Sequence, residues 1–502
     1  MDPRGLACGG HGSCGGDRVS TERELSFTFE GRRIPARSGQ SIAGALHATG
    51  TRTLSRGIKY HRPRGYTCGF GACGDCPLRV DGMPSTVSCT TPVRGGERVR
   101  RETGLPSTRF DLLRTADLMR PFLRAGFQFT LFARQPRLSR LAGAVLAVLA
   151  GGGRAPDAAA AAAAKIARVE RHEPEVLVIG GGASGLTAAL AAADAGASVL
   201  LVDQELIGGR SRVRTEAVRV GSAASRPADV VRELLRRASA HARITMLRGT
   251  AIGLIDGLVP VIDADRPVRH EVRPFSIALA TGSYETPLLI PGHDLPGVML
   301  PDGALRLAEV EGVRPARRAV VIDGDPRAGD VAAALGAHGV RIVATVPAER
   351  VERITGWSRA TGVRLRGAAG PGDAVLPRRI RAELVCAVGP RRAAEELSLH
   401  AVYGDSGSHD EIRSDAEAAP DAVSRAGGER IVVVGSARGE AAYSLDEASA
   451  AGVRLAALSR GARPARASRS APASSRAEAE VPPAPSRPDA PAAASTGSRI
   501  RS

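Results

Sequence analysis

Apolar and polar positions alternate over Ser26–Glu30, with Phe27 and Phe29 on one face, and the pattern resumes at Ile34-Pro35-Ala36 beyond Gly31-Arg32-Arg33. Period-two alternation on both sides of a turn predicts a β-hairpin. Ser38-Gly39-Gln40-Ser41 then leads into Ile42–Ala48, a short helix with a serine available as N-cap. Between residues 105 and 150 the spacing becomes helical, with Phe110, Leu113, Leu118 and Phe122 as an apolar stripe whose expected role is core packing. Ala155-Pro156-Asp157 and the alanine run to Ala164 form a spacer with helical potential, and the composition changes at Glu175.

From Glu175 onward, short β-branched runs alternate with alanine-rich helical stretches. Strands are expected at Val176–Ile179, Ser198–Asp203, Ser276–Ala280, Ala319–Ile322 and Ile431–Val434, with a helix at Ser184–Ala195. This order predicts parallel sheets covered by helices. Residues 1–22, which include Cys8, His11 and Cys14, read as a disordered leader with free thiols, and the Pro/Ala/Ser/Arg-rich stretch from 458 to 502 as a disordered tail. Between them we expect a cysteine-rich domain at 23–104 and a helical connector with an Ala-rich linker at 105–172. A nucleotide-binding domain follows at 173–315, returning at 396–457, with an inserted lobe at 316–395.

At 502 residues the chain exceeds one ordinary core, so two to four domains are expected. The formal net charge of +17 rests almost wholly on arginine, since Lys59 and Lys165 are the two lysines. Arg32-Arg33 and the run Arg98–Arg101 make the cysteine-rich region basic, a surface suited to an acidic partner or an anionic small molecule. Helix-turn-helix signals, zinc-finger spacing and aromatic–basic alternation are lacking, so nucleic acid is not the expected partner. Seven cysteines are too few for a disulfide scaffold in so long a chain, and four of them fall within 22 residues. That clustering argues for a metal site in a reducing compartment. Met1–Ser20 shows no secretory apolar core, and Leu141–Ala150 is too short to span a bilayer. A cytoplasmic chain is the expectation.

The run Cys68-Gly-Phe-Gly-Ala-Cys73-Gly-Asp-Cys76 has C-x4-C-x2-C spacing, and Cys89 follows after twelve residues. This is the plant-type [2Fe–2S] pattern. Glycines 69, 71 and 74 give the loop the backbone freedom and close N–H approach that a cluster requires. Leu78–Met83 reads as a strand and an Asp-Gly turn that bring Cys89 back on a return strand. Structural zinc, the rival, normally uses paired C-x2-C knuckles, and only one such pair is present.

Glu175-Val-Leu-Val-Ile-Gly180-Gly-Gly182-Ala-Ser184-Gly185 is a strand, a G-x-G-x-x-G turn and a helix start. Gly180 permits the tight turn, Gly182 lets backbone N–H groups reach a pyrophosphate, and Gly185 allows helix and strand to pack closely. Ser184 lies in the same helix N-terminus, whose partial positive charge favours phosphate. Asp203, 23 residues after Gly180, is placed to accept from ribose hydroxyls. Gly208-Gly209-Arg210 and the later Thr281-Gly282 turn point to FAD rather than NAD. A second nucleotide-like turn, Ile322-Asp323-Gly324-Asp325-Pro326-Arg327, carries two acids and a proline where a pyrophosphate would need N–H donors. An NAD(P) site there is therefore not the expectation. Cys386 reads as a buried core thiol. His61, His293 and Tyr284 are within the range of residues that can face a flavin, but none is assigned as a catalytic acid or base.

Several further runs resemble the α subunit of heterotetrameric sarcosine oxidase: Arg56–Gly65, Phe122–Phe129, Ala280–Pro287 and Pro291–Met299. The resemblance covers roughly residues 24 to 455. The cluster segment is also similar to amine and opine dehydrogenases, to hydrogen cyanide synthase, and to the small iron–sulfur subunits of molybdenum hydroxylases. It implies a β-grasp [2Fe–2S] domain on an FAD-binding, disulfide-reductase-like α/β domain. It also implies a separate flavoprotein subunit that oxidises a secondary amine or amino acid. The FAD motif carries over onto Gly180, Gly182, Gly185, Asp203, Gly209, Thr281 and Gly282, and onto Gly435 in Val434-Gly435-Ser436. Three departures accompany it: no counterpart of the folate-binding C-terminal half is expected, the inserted lobe is short, and Ser436 stands where an acid usually follows the late glycine. The expected function is an oxidoreductase subunit passing electrons from an amine to an acceptor. An NAD(P)H-dependent reductase and a non-catalytic relay with a vestigial flavin lobe are the alternatives.

Overall fold

The computed structural model describes residues 24–58, 60–104, 111–117, 135–149, 155–205, 207–216, 218–220, 223–367, 377–403, 430–438 and 445–461. The expected leader with Cys8 and Cys14, the tail beyond 461, and Phe110, Leu118 and Phe122 of the expected stripe lie outside them.

The hairpin forms as the alternation requires. Glu24–Phe29 pairs antiparallel with Arg32–Arg37, and Phe27 and Phe29 turn inward while Thr28 faces solvent. Ile42–Ala48 is a helix, and the Ser41 hydroxyl accepts from the Gly44 N–H at 3.0 Å. Such a cap is worth about 1 kcal/mol. Pro77–Val80, Met83–Val87 and Arg98–Arg100 complete a five-stranded sheet in which Arg98–Arg100 runs parallel to the first strand. Sheet, crossing helix and cysteine loop are the β-grasp arrangement. Cys89 sits in the turn just past Met83–Val87 rather than on a strand, because the chain must leave the sheet to return toward the other thiols.

The connector gives a 3₁₀ turn at Leu112–Asp117 and helices at Pro136–Leu149 and Ala158–Ala164. The large sheet then holds eight strands. Ile431–Val433, Ser276–Leu279, Val176–Ile179, Val199–Asp203 and Ile244–Ala251 lie side by side and parallel. The parallel expectation ends there. Val259–Asp263 and Val268–Val272 continue antiparallel, and Arg168–His172 closes the edge parallel to Val268–Val272. Arg168–His172, read by pattern as linker, is thus a strand of this sheet. Val176–Ile179 is buried throughout, as a strand covered on both faces must be. Helix Ala183–Asp194 packs on it, and helix Leu445–Gly461 runs past the expected boundary at 457.

The inserted lobe carries a four-stranded parallel sheet (Val298–Met299, Leu384–Val388, Arg318–Asp323, Arg341–Pro347) and an antiparallel sheet of Val351–Gly356, Ala360–Leu365 and Arg379–Arg381. A two-stranded ribbon, Ser283–Glu285 with Arg391–Ala393, carries the chain between this lobe and the large sheet.

Candidate functional site

The cysteine loop takes its shape from three left-handed glycines, Gly69, Gly71 and Gly74, at φ of 72°, 73° and 71°. A side chain at each would be strained. None of Cys68, Cys73, Cys76 and Cys89 forms a disulfide; three are buried and Cys73 is exposed. Hydrogen bonds from the Cys73 and Cys89 thiols hold the Cys68 thiol well below its ordinary value, and the Phe70 and Cys73 N–H groups add to this. The Cys76 thiol is lowered in the same way by Cys89. Four converging thiols with N–H groups aimed at sulfur fit a thiolate-held cluster. The loop rests on helix Pro301–Leu305, where a Cβ on Gly303 would come within 2.4 Å of the Thr67 carbonyl.

The glycine turn of the large sheet opens on a cavity of about 320 Å³ lined by Gly180, Gly182, Ser184, Gly185, Asp203, Gly209, Arg210, Thr281, Gly282 and Ser436. Gly180 has φ 107°, and a Cβ there would stand 2.1 Å from the Ala280 carbonyl oxygen. A Cβ on Gly185 would lie 1.8 Å from the Gly180 carbonyl oxygen. Gly182, at the helix N-terminus, faces only the Ser211 hydroxyl, at 3.4 Å. The approach to the helix end is therefore bare backbone, the cradle a pyrophosphate needs. Asp203 accepts from the Gly181 N–H at 2.6 Å and the Glu205 N–H at 2.9 Å. Burial pushes its carboxyl up to about 6.

Thr281 donates to the Ala394 carbonyl at 2.8 Å, and Gly282 has φ 78°. Gly435, at φ 69°, joins Val434 and Ser436, both of which line the cavity. At the position where the family pattern has an acid, the Ser436 hydroxyl accepts from buried Arg214 at 3.2 Å, and Arg214 also donates to Ser283 at 2.6 Å.

The two sites meet at Phe70. This residue, two positions from Cys68, lines the glycine-turn cavity, and the guanidinium groups of Arg210 and Arg306 each lie 4.8 Å from its ring centre. Arg306 opens a π-helical turn and pairs with Glu205 and Glu311. Glu311 in turn accepts from the Ser41 N–H and hydroxyl. One buried cation thus ties the cysteine loop, the large sheet and the inserted lobe together. A second cavity of about 430 Å³ is lined by Cys68, Cys73, Arg210, Tyr284 and His293 among others.

Of the residues considered for a flavin-facing role, Tyr284 and His293 line only this second cavity, and Tyr284 donates to Glu396 at 2.9 Å. His61 points elsewhere, bonded to Asp111 at 2.9 Å. Cys386 is a core thiol that burial pushes up. In the inserted lobe the turn before helix Ala328–Ala337 is bound up in side-chain contacts. Arg327 donates to Asp325 at 2.7 Å, to Glu285 at 3.0 Å and to the Gly389 carbonyl. Beside it, Arg391 makes a two-pronged bond with Asp302 at 2.8 and 2.9 Å. Burial raises Asp302, but Arg391 outweighs it and holds the carboxyl at about 2, while burial pushes Glu285 up to about 7.

Residues 22–104 match the family described as 2Fe-2S iron-sulfur cluster binding domain, and residues 175–252 the family described as FAD dependent oxidoreductase. Sarcosine oxidase subunit alpha of Rhizobium meliloti (strain 1021) is 31% identical over 75% of this chain and 38% of its own length. The chain is similar to sarcosine oxidase α subunits and carries an iron–sulfur and an FAD oxidoreductase domain. Like that relative, hydrogen cyanide synthase subunit HcnB of Pseudomonas aeruginosa matches in part, at 29% identity over 33% of this chain and 37% of its own. The chain spans less than two-fifths of the length of the curated relatives it matches. L-proline dehydrogenase from P. horikoshii shares the fold, with a TM-score of 0.59 and 19% identity over 88% of this chain and 74% of that one. Both cofactors called from sequence, the [2Fe–2S] cluster and FAD, stand. No helix among the described residues is long and apolar enough to cross a membrane.

The motifs pointed to the backbone of both sites but missed the side chains between them. Phe70, Arg306, Glu311 and Arg214 belong to no spacing rule. The one available signal was an aromatic set between two loop glycines, Gly69-Phe70-Gly71.

Proposed function

We propose that this chain is the electron-relaying subunit of a complex that oxidises a secondary amine or amino acid of the sarcosine, proline or opine kind, with a separate flavoprotein subunit as partner. The observation that carries the reading is Phe70, which belongs to the cysteine loop and lines the cavity of the FAD motif. A short path between the two centres is the arrangement electron relay requires. FAD, when bound, exchanges electrons in pairs or singly, and a [2Fe–2S] cluster exchanges them one at a time.

In this reading Cys68, Cys73, Cys76 and Cys89 hold the two irons. Gly180, Gly182, Ser184 and Gly185 present N–H groups to the pyrophosphate, and Asp203 accepts from the ribose. Gly209, Arg210, Thr281, Gly282 and Gly435 shape the rest of the flavin site. Phe70 and its two arginines exclude water from the seam. Residues 23–104 carry the cluster, and 173–315 with 396–457 carry the flavin. The lobe at 316–395 holds the fold without nicotinamide, a reading supported by the contacts of Arg327 with Asp325 and Glu285 at its turn. Four clustered thiols without a disulfide support a reducing compartment such as the cytoplasm as the chain's location.

Anaerobic purification of the full chain with its co-expressed partner subunit tests the proposal. Iron, sulfide and flavin assays would be followed by EPR after adding sarcosine, L-proline or an opine. Two irons and one FAD per chain, with a reduced-cluster signal on amine addition, are expected. Iron without flavin moves the chain to a bare relay. Flavin bleaching by NADH alone makes it a nicotinamide-dependent reductase.

A further inference from the structure

Far across the large sheet from the flavin cavity, three ligand-bearing side chains meet on one face. Glu170 and His172 stand two apart on Arg168–His172, and His270 lies opposite Glu170 on the neighbouring parallel strand. Residues two apart on a strand share a face, and the register brings His270 onto it. His172 Nε2 is 2.9 Å from His270 Nδ1, and Glu170 Oε2 is 3.4 Å from the same nitrogen. The three donor atoms all fall within 4.8 Å of one another. His270 is 1% exposed.

The surroundings orient these donors. Asp263 Oδ2 lies 3.2 Å from His270 Nε2; a proton on Nε2 bonded to this carboxylate leaves the Nδ1 lone pair facing His172 and Glu170. Asp263 is itself fixed by Arg266 at 2.8 Å, while the other oxygen of Glu170 faces Arg168 and Arg266. A carboxylate behind a histidine whose second nitrogen faces further donors is the outer shell typical of metal-binding imidazoles.

We propose that Glu170, His172 and His270 form a binding site for a divalent transition ion of the zinc type, with Asp263 as the positioning carboxylate. Two neutral imidazoles and a carboxylate suit zinc, which accepts nitrogen and oxygen donors and leaves a fourth position for water. Bond lengths of about 2.0–2.1 Å require the two histidine nitrogens to part by a few tenths of an ångström. His172 then carries its proton on Nδ1. The ion stitches Arg168–His172 to the sheet. That strand pairs only with Val268–Val272 and has no fully buried residue, yet it is where the chain coming from the cluster domain joins the flavin domain. The site is independent of the reading of the redox centres.

The test uses full-length protein with its cluster loaded, so that the thiols are occupied. Zinc is titrated against a chromophoric chelator and the bound ion examined by X-ray absorption at the zinc edge. One equivalent with a nitrogen/oxygen shell and imidazole scattering is expected. It should be lost in His172→Gln and Glu170→Gln, and weakened about 10- to 100-fold in Asp263→Asn. Glu170 and His172 lie on the edge strand and Asp263 two strands in, and melting without zinc checks that each variant is folded. A sulfur shell near 2.3 Å, or equal zinc uptake by wild type and His172→Gln, overturns the proposal. No uptake by wild type also overturns it, and leaves the two histidines sharing a proton.

Discussion

The chain contains two strand–turn–helix units of the same topology: the first turn lines a cavity, and the second is bound up in buried ion pairs. At Val176–Ile179 the turn is Gly180-Gly181-Gly182, and bare backbone leads to the helix end. At Arg318–Asp323 the turn is Gly324-Asp325-Pro326-Arg327, and the helix Ala328–Ala337 begins under a buried arginine clasped by Asp325 and Glu285. A helix N-terminus attracts anions wherever it is left open. In the first unit the opening is kept for a cofactor. In the second, the protein's own ion pairs take the place, and the lobe becomes a structural partner of the cluster loop. A nucleotide site therefore depends on what the turn leaves out as much as on the strands and helix around it.

The sharpest way to break the comparison is Gly180→Ala. With φ at 107° and a carbonyl oxygen 2.1 Å from the new methyl, the turn must move. We expect nearly complete loss of bound FAD and a destabilisation of roughly 3 kcal/mol or more. Flavin stoichiometry and urea unfolding measure both. Full flavin content in this variant would show that the turn is not the cradle.

Next in size is Arg327→Ala, which attacks the plug. Arg327 and Glu285 are 8% and 6% exposed, and removing one partner of a buried pair costs about 3–5 kcal/mol. Thermal melting should show that loss with no gain of NADH binding by fluorescence. NADH binding in the variant would mean the second unit is a nicotinamide site held shut rather than a lobe without one.

The fold was legible wherever a residue's role is set by its neighbours in sequence. The hairpin at Phe27 and Phe29, the Ser41 cap, the cysteine loop and the Gly180 turn all depend on local spacing. The antiparallel extension of the large sheet was not, because the buried positions of Val259–Asp263 and Val268–Val272 include Asp263 and His270, which blur the apolar alternation. Arg168–His172 escaped because its partner lies about a hundred residues away. The seam escaped too. Arg306 reaches Glu205, Glu311 and Phe70 from three parts of the chain, and no spacing encodes such a meeting.

Asp203 sharpens the comparison through pH. Its carboxyl sits at about 6 in place of 3.8, so the cofactor-free protein holds a proton that the unfolded chain has lost. Its contribution to stability therefore falls as pH rises from about 3.8 to about 6. Ribose hydroxyls donating to the carboxylate favour the ionised form and lower this value in the complex. FAD affinity should then weaken as pH drops below about 6, by up to roughly tenfold per unit. Asp203→Asn should flatten that profile in equilibrium titrations. A wild-type profile already flat between pH 5 and about 7 would remove Asp203 from the ribose site.

The smallest effect is expected at Gly329→Ala, in the helix that follows the second unit's turn. Gly329 lies in the first turn of Ala328–Ala337, and a Cβ there meets nothing within 4 Å. Alanine is the better helix former, so the variant should gain up to about 1 kcal/mol and keep its flavin and iron unchanged. Glycine to alanine would thus abolish the first unit's turn and strengthen the second unit's helix. If Gly329→Ala instead lost stability or altered flavin content, a ligand or partner would have to approach that helix end, and the second unit could no longer be regarded as closed.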